Sequence, residues 1–350
     1  MIKGMLILEE PIWARFWYPV ALEGNIGSEP VRRTLLNHPI VLWREPDGAV
    51  VAAIDRCPHR DAPLSSGWIE DGCIVCPYHG WRFDGTGALR LLPQSPELSS
   101  LGNRYEIQTV NARVLHGAVW VNLSRPVAEI PAIPSLQPGW RYIPEFDEEW
   151  ETHAARLMEN SFDPAHTVFV HRKTFGDGRN PAVEVPSLEE RPYGFSMSNR
   201  LSVANPDFAR TVTGDSGDYT LRDTVTLFFA PFIRVMISTY PAGVVHAIVT
   251  AATPVNEHRL RLVQWVLRND REEDAPESEL VSFDRRVTRE DRELLESIWA
   301  PYSSEVNANV HMRADRASIA LRRLWGKISA GTWLPETVEE VGEDGLRVIG

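Results

Sequence analysis

Four residues near the N-terminus combine two side chains that commonly bind transition metals. Cys57 and His59 are two positions apart, Cys76 and His79 are three apart, and sixteen residues separate the two pairs. Each pair lies on a short segment that can point both side chains at one site. Thiolate and imidazole ligands suit zinc or an iron–sulfur cluster, and they do not suit calcium or magnesium. The spacing therefore predicts a metal centre at these two segments.

The grouping of these ligands favours an iron–sulfur cluster of the Rieske type over zinc. In a Rieske [2Fe–2S] cluster two cysteines hold one iron and two histidines hold the other. A structural zinc site with two cysteines and two histidines usually groups like ligands together. Here each segment carries one cysteine and one histidine. Spacing alone favours the cluster and leaves zinc as the alternative.

A second pair of histidines lies in the middle of the chain. His166 and His171 follow Asp163 and Pro164, a combination typical of a helix start, with aspartate as the cap and proline at the first helical position. Residues five apart on an ideal helix point about 140° apart. Both histidines can therefore bind one ion only if the helix ends or bends between them. The pair predicts either two metal ligands or two structural histidines near a helix end.

An aspartate lies on the apolar face of a helix predicted over residues 277–299. The apolar residues of that face are Leu280, Phe283, Val287, Leu294 or Leu295, and Ile298. Asp291 lies on the same face, where a carboxylate is costly unless it is paired or binds a metal. One explanation is an ion pair with a nearby arginine of the helix, Arg285, Arg286 or Arg289. Glu290 and Arg292 are expected to point elsewhere. Two histidines and this carboxylate would instead form the facial triad of a non-haem Fe(II) oxygenase.

Length and composition indicate about two globular domains. The 350 residues are 43% hydrophobic and 24% charged, as in soluble globular proteins. A net charge of −12 argues against nucleic acid as a partner, since nucleic acids attract basic surfaces. No apolar run approaches the roughly 20 residues of a transmembrane segment, and residues 1–10 do not resemble a secretory signal. Three cysteines argue against a disulfide framework, which predicts a cytoplasmic protein with Cys73 as a small buried residue.

The pattern of apolar residues and turns positions these motifs in two regions. Residues 13–125 are predicted to be mostly strand, with a hairpin turn at residues 45–48. Prolines between residues 126 and 138 predict a connecting segment between the two domains that extends to residue 150. The elements predicted beyond it are a helix within 151–170, strands at 219–228, 234–240, 246–253 and 259–267, and helices at 277–299 and 314–328.

Together the motifs resemble the oxygenase (alpha) component of Rieske non-haem iron oxygenases. The residues that carry the resemblance are Cys57-Pro58-His59, Cys76-Pro77-Tyr78-His79-Gly80-Trp81, Asn160-x-x-Asp163-x-x-His166-x-x-x-x-His171 and Glu290-Asp291. The resemblance covers nearly the whole chain and is greatest to the branch of vanillate O-demethylase and pheophorbide a oxygenase. It implies an α+β fold with an all-β Rieske domain at 1–125. A helix-grip-like catalytic domain of helices and antiparallel sheet would occupy 126–350.

The resemblance also implies roles for these residues. The cluster would be held by Cys57, His59, Cys76 and His79, and the mononuclear Fe(II) by His166, His171 and Asp291. Asp163 would bridge this iron to His79 of the partner subunit, which implies a head-to-tail homotrimer. Asn160 would lie near the iron.

The activity implied by the resemblance is O2-dependent oxidation of a small aromatic or cyclic molecule, by hydroxylation or by O- or N-demethylation. Electrons from NAD(P)H would arrive through a separate reductase or ferredoxin, because the sequence has no G-x-G-x-x-G fingerprint. Two alternatives are a Rieske electron-transfer protein with an inactive second site and a zinc-stabilised binding module. The substrate pocket is expected to be lined by Phe228, Phe232, Met236 and Trp265.

Overall fold

A computed structural model of the protein describes residue 8 and residues 10–98, 105–133, 139–179 and 181–336. The chain divides into two compact units, residues 9–127 and residues 128–350 with residues 1–8. The predicted α+β fold is confirmed, with strands in the first unit and helices with antiparallel sheet in the second. No helix of the described residues is long and apolar enough to cross a membrane.

The described part of the first unit consists of strands and short turns. Its strands are β1 (Tyr18–Leu22), β2 (Val31–Leu35), β3 (His38–Arg44), β4 (Val50–Ile54), β5 (Trp68–Glu70), β6 (Cys73–Val75), β7 (Arg82–Phe83), β8 (Leu89–Leu91), β9 (Thr109–Leu115) and β10 (Ala118–Asn122). Six of them form an antiparallel sheet in the order β1-β10-β9-β4-β3-β2, and β5 to β8 form a four-stranded sheet. The predicted turn joins β3 to β4, where Gly48 has a φ of 92° that favours glycine.

The two predicted cysteine ligands, Cys57 and Cys76, lie in the apolar core of the first unit. Cys57 and Cys76 pack in one apolar cluster with Trp43, Leu64 and Phe83, among others. Cys57 follows β4 and Cys76 follows β6, so two strand ends carry the ligand loops. The prediction that Cys73 is buried is wrong. Cys73 is half-buried at the start of β6 and lies opposite a glutamate of β5, so its neighbours are charged.

The second unit is a seven-stranded antiparallel sheet with helices against it. Its elements are β11 (Arg141–Trp150), α1 (Ala154–Ser161), α2 (Thr167–Val170), β12 (Ser187–Arg191), β13 (Gly194–Ala204), α3 (Asp207–Thr213), β14 (Tyr219–Phe229), β15 (Ile233–Thr239), β16 (Val245–Asn256), β17 (Arg259–Arg268), α4 (Glu277–Glu296) and α5 (Arg316–Ser329). The strand order is β11-β17-β16-β15-β14-β13-β12. Helix α4 contacts α1, α2, α3 and β11. Its residues Leu280 and Phe283 pack on Ile248 and Val266 of the sheet.

The prediction that the connecting segment between the domains extends to residue 150 is wrong, because the last ten residues of that segment form β11. This strand is an edge strand, and its pairing with β17 shifts register between Pro144 and Phe146. Proline has no amide hydrogen to donate and is tolerated at edges and bulges. A proline-containing edge strand therefore has the composition that predicts a linker. The sequence did not predict β12, β13 or α3, because their polar composition hides their periodicity.

Candidate metal centres

The two cysteine loops of the first unit share one backbone arrangement. The amide of Cys57 donates to the carbonyl of Ala62 at 2.9 Å, and the amide of Cys76 donates to the carbonyl of Trp81 at 2.8 Å. Each cysteine carbonyl accepts from the amide four positions later at 3.0 Å. Those later residues have positive φ angles, Asp61 at 57° and Gly80 at 72°. Two equivalent loops therefore present a cysteine at the same point of the turn, although the histidine follows one position later in the second loop.

The side chains of these loops form a buried sulfur pair and a surface imidazole pair. Cys57 and Cys76 are each 1% exposed, and their thiols lie within hydrogen-bonding distance. The Nδ1 atoms of His59 and His79 are 3.2 Å apart. Burial raises the pKa of Cys57 to about 12, so a metal that binds the thiolate must displace its proton.

These four ligands form two pairs rather than one tetrahedron. Among the described residues, a group of three or more His, Cys, Asp or Glu side chains has its ligand atoms all within 4.8 Å of one another only in the second unit. The four ligands of the first unit are therefore more widely spread than that. A single zinc ion would need its four ligand atoms closer together than that, since its bonds are about 2.0–2.3 Å long. A pair of thiols and a separate pair of imidazoles instead fit a two-iron cluster with a buried iron and an outer iron. The alternative of a single zinc ion does not fit this arrangement.

Aromatic rings fix the planes of both imidazoles. The ring of His59 stacks on Trp81 with centroids 4.6 Å apart and planes 3° apart. Tyr78 stacks on His79 with centroids 4.1 Å apart. Because the Nδ1 atoms point at each other, the opposite edges of the rings, with Nε2, point away from the cluster position.

The group that does converge in the second unit consists of three predicted ligands, His166, His171 and Asp291. The Nε2 atoms of the two histidines are 3.2 Å apart. Oδ1 of Asp291 lies 3.6 Å from Nε2 of His166 and 3.3 Å from Nε2 of His171. Atoms at these separations can all bond one metal ion at about 2.0–2.2 Å.

Hydrogen bonds on the far side of each imidazole determine which nitrogen faces the centre of this triad. Nδ1 of His166 lies 2.5 Å from the carbonyl oxygen of Asp163, and Nδ1 of His171 lies 3.0 Å from Oε2 of Glu290. Both partners only accept hydrogen bonds, so each Nδ1 carries a hydrogen, and each ring in its neutral form presents a lone pair at Nε2. Two lone pairs and a carboxylate oxygen then face one another without a hydrogen between them. A cation at that point satisfies all three atoms.

The carboxylate of the triad is ionised, as a metal ligand must be. Burial opposes ionisation of Asp291, but the neighbouring imidazoles of His171 and His166 and a hydrogen bond from Asn160 hold its pKa below the usual value. The side-chain amide of Asn160 donates to Oδ1 of Asp291 at 3.0 Å. Asn160 therefore lies beside the candidate metal site, as the resemblance implied. The arginines considered as partners for Asp291 do not pair with it; Arg285 and Arg289 bind glutamates.

A very short helix brings the two histidines together. The predicted helix start at Pro164 is wrong, because Oδ1 of Asp163 accepts the amide of Ala165 at 2.8 Å in a turn between α1 and α2. Helix α2 spans four residues, with His166 just before it and His171 just after it. Because the helix ends between them, both side chains can point to the same side. On a continuous helix residues five apart would point about 140° apart.

Glu290 is the site residue that sequence reasoning missed. It was expected to point elsewhere, yet Oε2 accepts from His171 Nδ1 at 3.0 Å and from Thr174 Oγ1 at 2.8 Å. Glu290 follows Val287 by three positions and Asp291 follows it by four, so both carboxylates lie on the inner side of α4. That spacing is the signal that could have predicted its position.

A cavity of about 1150 Å³, including the part open to solvent, contacts the triad in the second unit. Of the four residues predicted to line it, Met236 does so. Phe228, Phe232 and Trp265 are at most 1% exposed and lie in the core. Side chains alternate across a strand, so Gln264 of β17 faces the cavity and its neighbour Trp265 faces the opposite side. The lining is more polar than predicted and includes Thr224, Thr226, Ser238, Thr250 and Gln264.

Two family models match the chain. The Rieske [2Fe-2S] domain matches residues 16–103, and the vanillate O-demethylase oxygenase C-terminal domain matches residues 150–330. Methylxanthine N3-demethylase NdmB of Pseudomonas putida is 29% identical over 340 residues, which cover 92% of this chain and 91% of the relative. The oxygenase component of dicamba O-demethylase of Stenotrophomonas maltophilia is 34% identical over 166 residues, 45% of this chain and 47% of the relative.

The fold is also that of a solved relative. The structure of NdmB of Pseudomonas putida CBB5 matches with a TM-score of 0.77 and 26% identity, over 93% of this chain and 94% of that one. The second family model covers the strands and helices that carry the triad, and the first covers both cysteine loops. The chain therefore belongs to the Rieske non-haem iron oxygenases, in the family with the vanillate O-demethylase oxygenase C-terminal domain.

Proposed function

We propose that the protein is an oxygenase component that oxidises a small cyclic or aromatic molecule at an iron ion held by His166, His171 and Asp291. The observation that carries this proposal is the triad of converging ligand atoms, 3.2–3.6 Å apart, at a cavity large enough for a substrate. Bound Fe(II) would supply O2 activation, and a [2Fe–2S] cluster on Cys57, His59, Cys76 and His79 would supply electrons one at a time.

The protein's own groups position and tune the triad. Glu290 accepts from the Nδ1 hydrogen of His171 and keeps the opposite nitrogen available as a ligand. The backbone carbonyl of Asp163 does the same for His166. Asn160 holds Oδ1 of Asp291 through its amide, which keeps the carboxylate oriented toward the two imidazoles. The apolar and hydroxyl-bearing cavity wall orients the substrate and excludes bulk water from its reacting carbon.

Asp163 is proposed to connect two subunits. Its side chain is half-buried, with Oδ1 bound to the amide of Ala165 and Oδ2 3.9 Å from Nδ1 of His166. In the first unit the Nε2 edge of His79 points away from the cluster position and is within reach of an external carboxylate. A carboxylate that contacts a cluster histidine of the partner subunit would complete a relay between two chains, and a head-to-tail homotrimer provides such a contact in every subunit.

The electron donor is proposed to be a separate reductase or ferredoxin that takes electrons from NAD(P)H. The sequence has no dinucleotide fingerprint, and the surface position of His59 and His79 gives an external donor access to the cluster. All three cysteines are free thiols, which supports a reducing cytoplasm as the site of action.

The reaction is proposed to be N- or O-demethylation or hydroxylation of a ring-bearing substrate. The relatives are named for demethylation of methylxanthines and of dicamba, both of which are cyclic. Oxidation of a methyl carbon on oxygen or nitrogen would place a hydroxyl on that carbon, and loss of formaldehyde would then release the demethylated ring.

Metal content of purified protein tests this proposal. We expect three irons and two acid-labile sulfides per chain, and loss of one iron in His166→Ala with the cluster's visible spectrum unchanged. The matched control is His258→Ala, which removes an exposed histidine in a turn and should keep all three irons. A His166→Ala protein that retains three irons would contradict the assignment of the triad. Two irons in the unsubstituted protein would favour an electron-transfer protein.

A further inference from the structure

The cavity wall contains a buried cation that the metal site does not use. Arg222 of β14 is 8% exposed and lines the same cavity as the triad. Burial lowers its pKa, and the stabilising neighbour is the phenol of Tyr240 rather than a carboxylate of the described residues. Its Nε has no hydrogen-bond partner among the described residues. A buried guanidinium without a counter-ion is costly, which indicates that a ligand supplies the missing negative charge.

Hydroxyl groups surround this arginine on the same face of the sheet. Thr224 pairs with Ser238 across β14 and β15; Arg222 lies two residues before Thr224 on β14, and Tyr240 lies two residues after Ser238, just beyond the end of β15. The hydroxyl oxygens of Thr224 and Ser238 are buried and have no hydrogen-bond partner in the part of the chain that the structure describes. Tyr240 accepts a hydrogen bond from Arg222, so its own hydroxyl hydrogen remains available for donation. The four side chains form a set of unused donors that we name the Arg222 cluster.

The other charged groups of the cavity lie near groups of opposite charge. Arg234 binds the hydroxyl of Thr250 at 2.9 Å and is stabilised by the charges of Asp291 and Asp284, although its Nε has no hydrogen-bond partner among the described residues. Asp284 in turn lies 3.1 Å from Nε2 of His246. Within the part of the chain that the structure describes, the Arg222 cluster is therefore the positive end of the cavity that no carboxylate compensates.

The Arg222 cluster is close to the metal ligands. The ring of Phe175 stacks on His171 with centroids 4.7 Å apart, and the guanidinium carbon of Arg222 lies 4.9 Å from the same ring. A single aromatic side chain thus contacts both Arg222 and a ligand of the triad. A ring-sized substrate can reach both places at once.

We propose that the Arg222 cluster binds a carboxylate of the substrate, so that the substrates are cyclic or aromatic carboxylic acids with their oxidised carbon at the triad. This rests on the proposed function. The planar guanidinium can donate two parallel hydrogen bonds to a carboxylate, and the hydroxyls of Thr224, Ser238 and Tyr240 can donate to the remaining lone pairs. A neutral amide of the same shape would leave the cation without a counter-charge and should therefore bind more weakly than the acid.

Binding of matched acids and amides to the anaerobic holoenzyme tests this proposal. The probes are 4-methoxybenzoate with 4-methoxybenzamide, the 3-methoxy pair, and cyclohexanecarboxylate with its amide, each titrated by calorimetry. We expect at least one acid to bind about tenfold or more tightly than its amide. Arg222→Gln should remove that preference. Arg222→Lys should keep part of it, because lysine retains the positive charge without the planar guanidinium that donates two parallel hydrogen bonds.

Arg200→Gln is the matched control for loss of a positive charge. Arg200 lies on the neighbouring strand β13, with its exposed side chain paired with Asp223, and its substitution should leave the acid preference intact. The preference of the unsubstituted protein is decisive even if Arg222→Gln fails to fold. The proposal is overturned if no acid binds more tightly than its amide, or if a folded Arg222→Gln protein keeps the preference.

Failure of this proposal is separable from failure of the proposed function. The iron content of His166→Ala reports on the triad and requires no ligand. The acid preference reports on Arg222 and requires no turnover. A protein with three irons and no acid preference would retain the oxygenase assignment and lose the substrate class.

Discussion

Each imidazole of the triad depends on an acceptor that binds its far nitrogen. His171 relies on the carboxylate of Glu290, and His166 relies on a backbone carbonyl that no substitution can remove. An anionic acceptor raises the basicity of the imidazole and fixes its orientation, and such partners commonly affect metal affinity by about 10–100-fold. The side chain of Glu290 is therefore the point at which the site can be weakened without loss of a ligand.

Glu290→Gln should lower the affinity for Fe(II) by about tenfold or more, because it removes the negative charge while it preserves the size of the side chain. Competition with a ferrous chelator measures the change. Glu293→Gln on the same helix is the control, since Glu293 is exposed and pairs with Arg289. Equal affinities for the two variants would show that Glu290 does not support the triad.

The types and spacing of the ligands were readable from the sequence, and the groups that orient them were not. Both Cys–His pairs, and the carboxylate on an apolar helix face, are local patterns. Glu290 lies more than 100 positions along the chain from His171, and only the tertiary fold brings the two together. Asn160 was expected near the iron from the family resemblance, and its hydrogen bond to Asp291 depends on the fold in the same way. The cavity was misjudged for the same reason, because strand alternation hides whether Gln264 or Trp265 faces the site.

Two equivalent loops carry the cluster ligands, and the strand hairpin between them depends on one glycine. A β-carbon on Gly67 would lie 1.9 Å from the carbonyl oxygen of Val75, just before the Cys76 loop. Backbone atoms at that distance must move apart, which displaces β5 from β6. Close packing at this position is therefore part of what holds the second ligand loop in place.

Gly67→Ala should destabilise the first unit by about 2–3 kcal/mol, the usual cost of overpacking at a rigid site. Loss of the cluster's visible absorption on heating should occur at a lower temperature than in the unsubstituted protein. Gly24→Ala is the control, because a β-carbon there would contact nothing within 4 Å. Identical melting curves for both variants would refute the role assigned to this contact.

At the level of elements, the sequence predicted the central strands of the second sheet within a few residues. Strands β14 to β17 are rich in β-branched and apolar residues and are bounded by turns, which makes their pattern strong. Edge strands are weaker in this respect, because they tolerate proline and polar residues. That is why β11 was read as a linker and β12 was missed.

For the whole molecule, the proposed relay requires electrons to cross from the cluster of one chain to the iron of another. A chain with Cys76→Ser should lack the cluster, and a chain with Asp291→Ala should lack the mononuclear iron. Each protein alone should be inactive. Assembled together from co-expressed chains, they should regain turnover, because a mixed trimer pairs an intact cluster with an intact iron site.

The control for this experiment replaces one partner by a chain with both substitutions, which should restore nothing. Product formation in the mixture is the measurement. A mixture as inactive as its parents would indicate that electrons stay within one chain, and it would remove the reason for the proposed trimer.

Asp163→Ala should break the relay while both metal centres stay loaded. We expect three irons per chain and an unchanged cluster spectrum, with product formation reduced at least about tenfold, since side chains that link metal sites commonly have effects of that size. Single-turnover kinetics of cluster oxidation in the presence of substrate measures the loss. Asp207→Ala, which removes an exposed aspartate of α3, should turn over normally. Near-normal turnover in Asp163→Ala would contradict the bridging role.

An iron-edge anomalous difference map from crystals of the holoenzyme tests the arrangement of the metals most directly. We expect a strong peak between the Cys57 and Cys76 loops. We also expect a separate peak within bonding distance of Nε2 of His166, Nε2 of His171 and Oδ1 of Asp291. A map with iron at the cysteine loops and none among these three atoms would contradict the assignment of the mononuclear iron site.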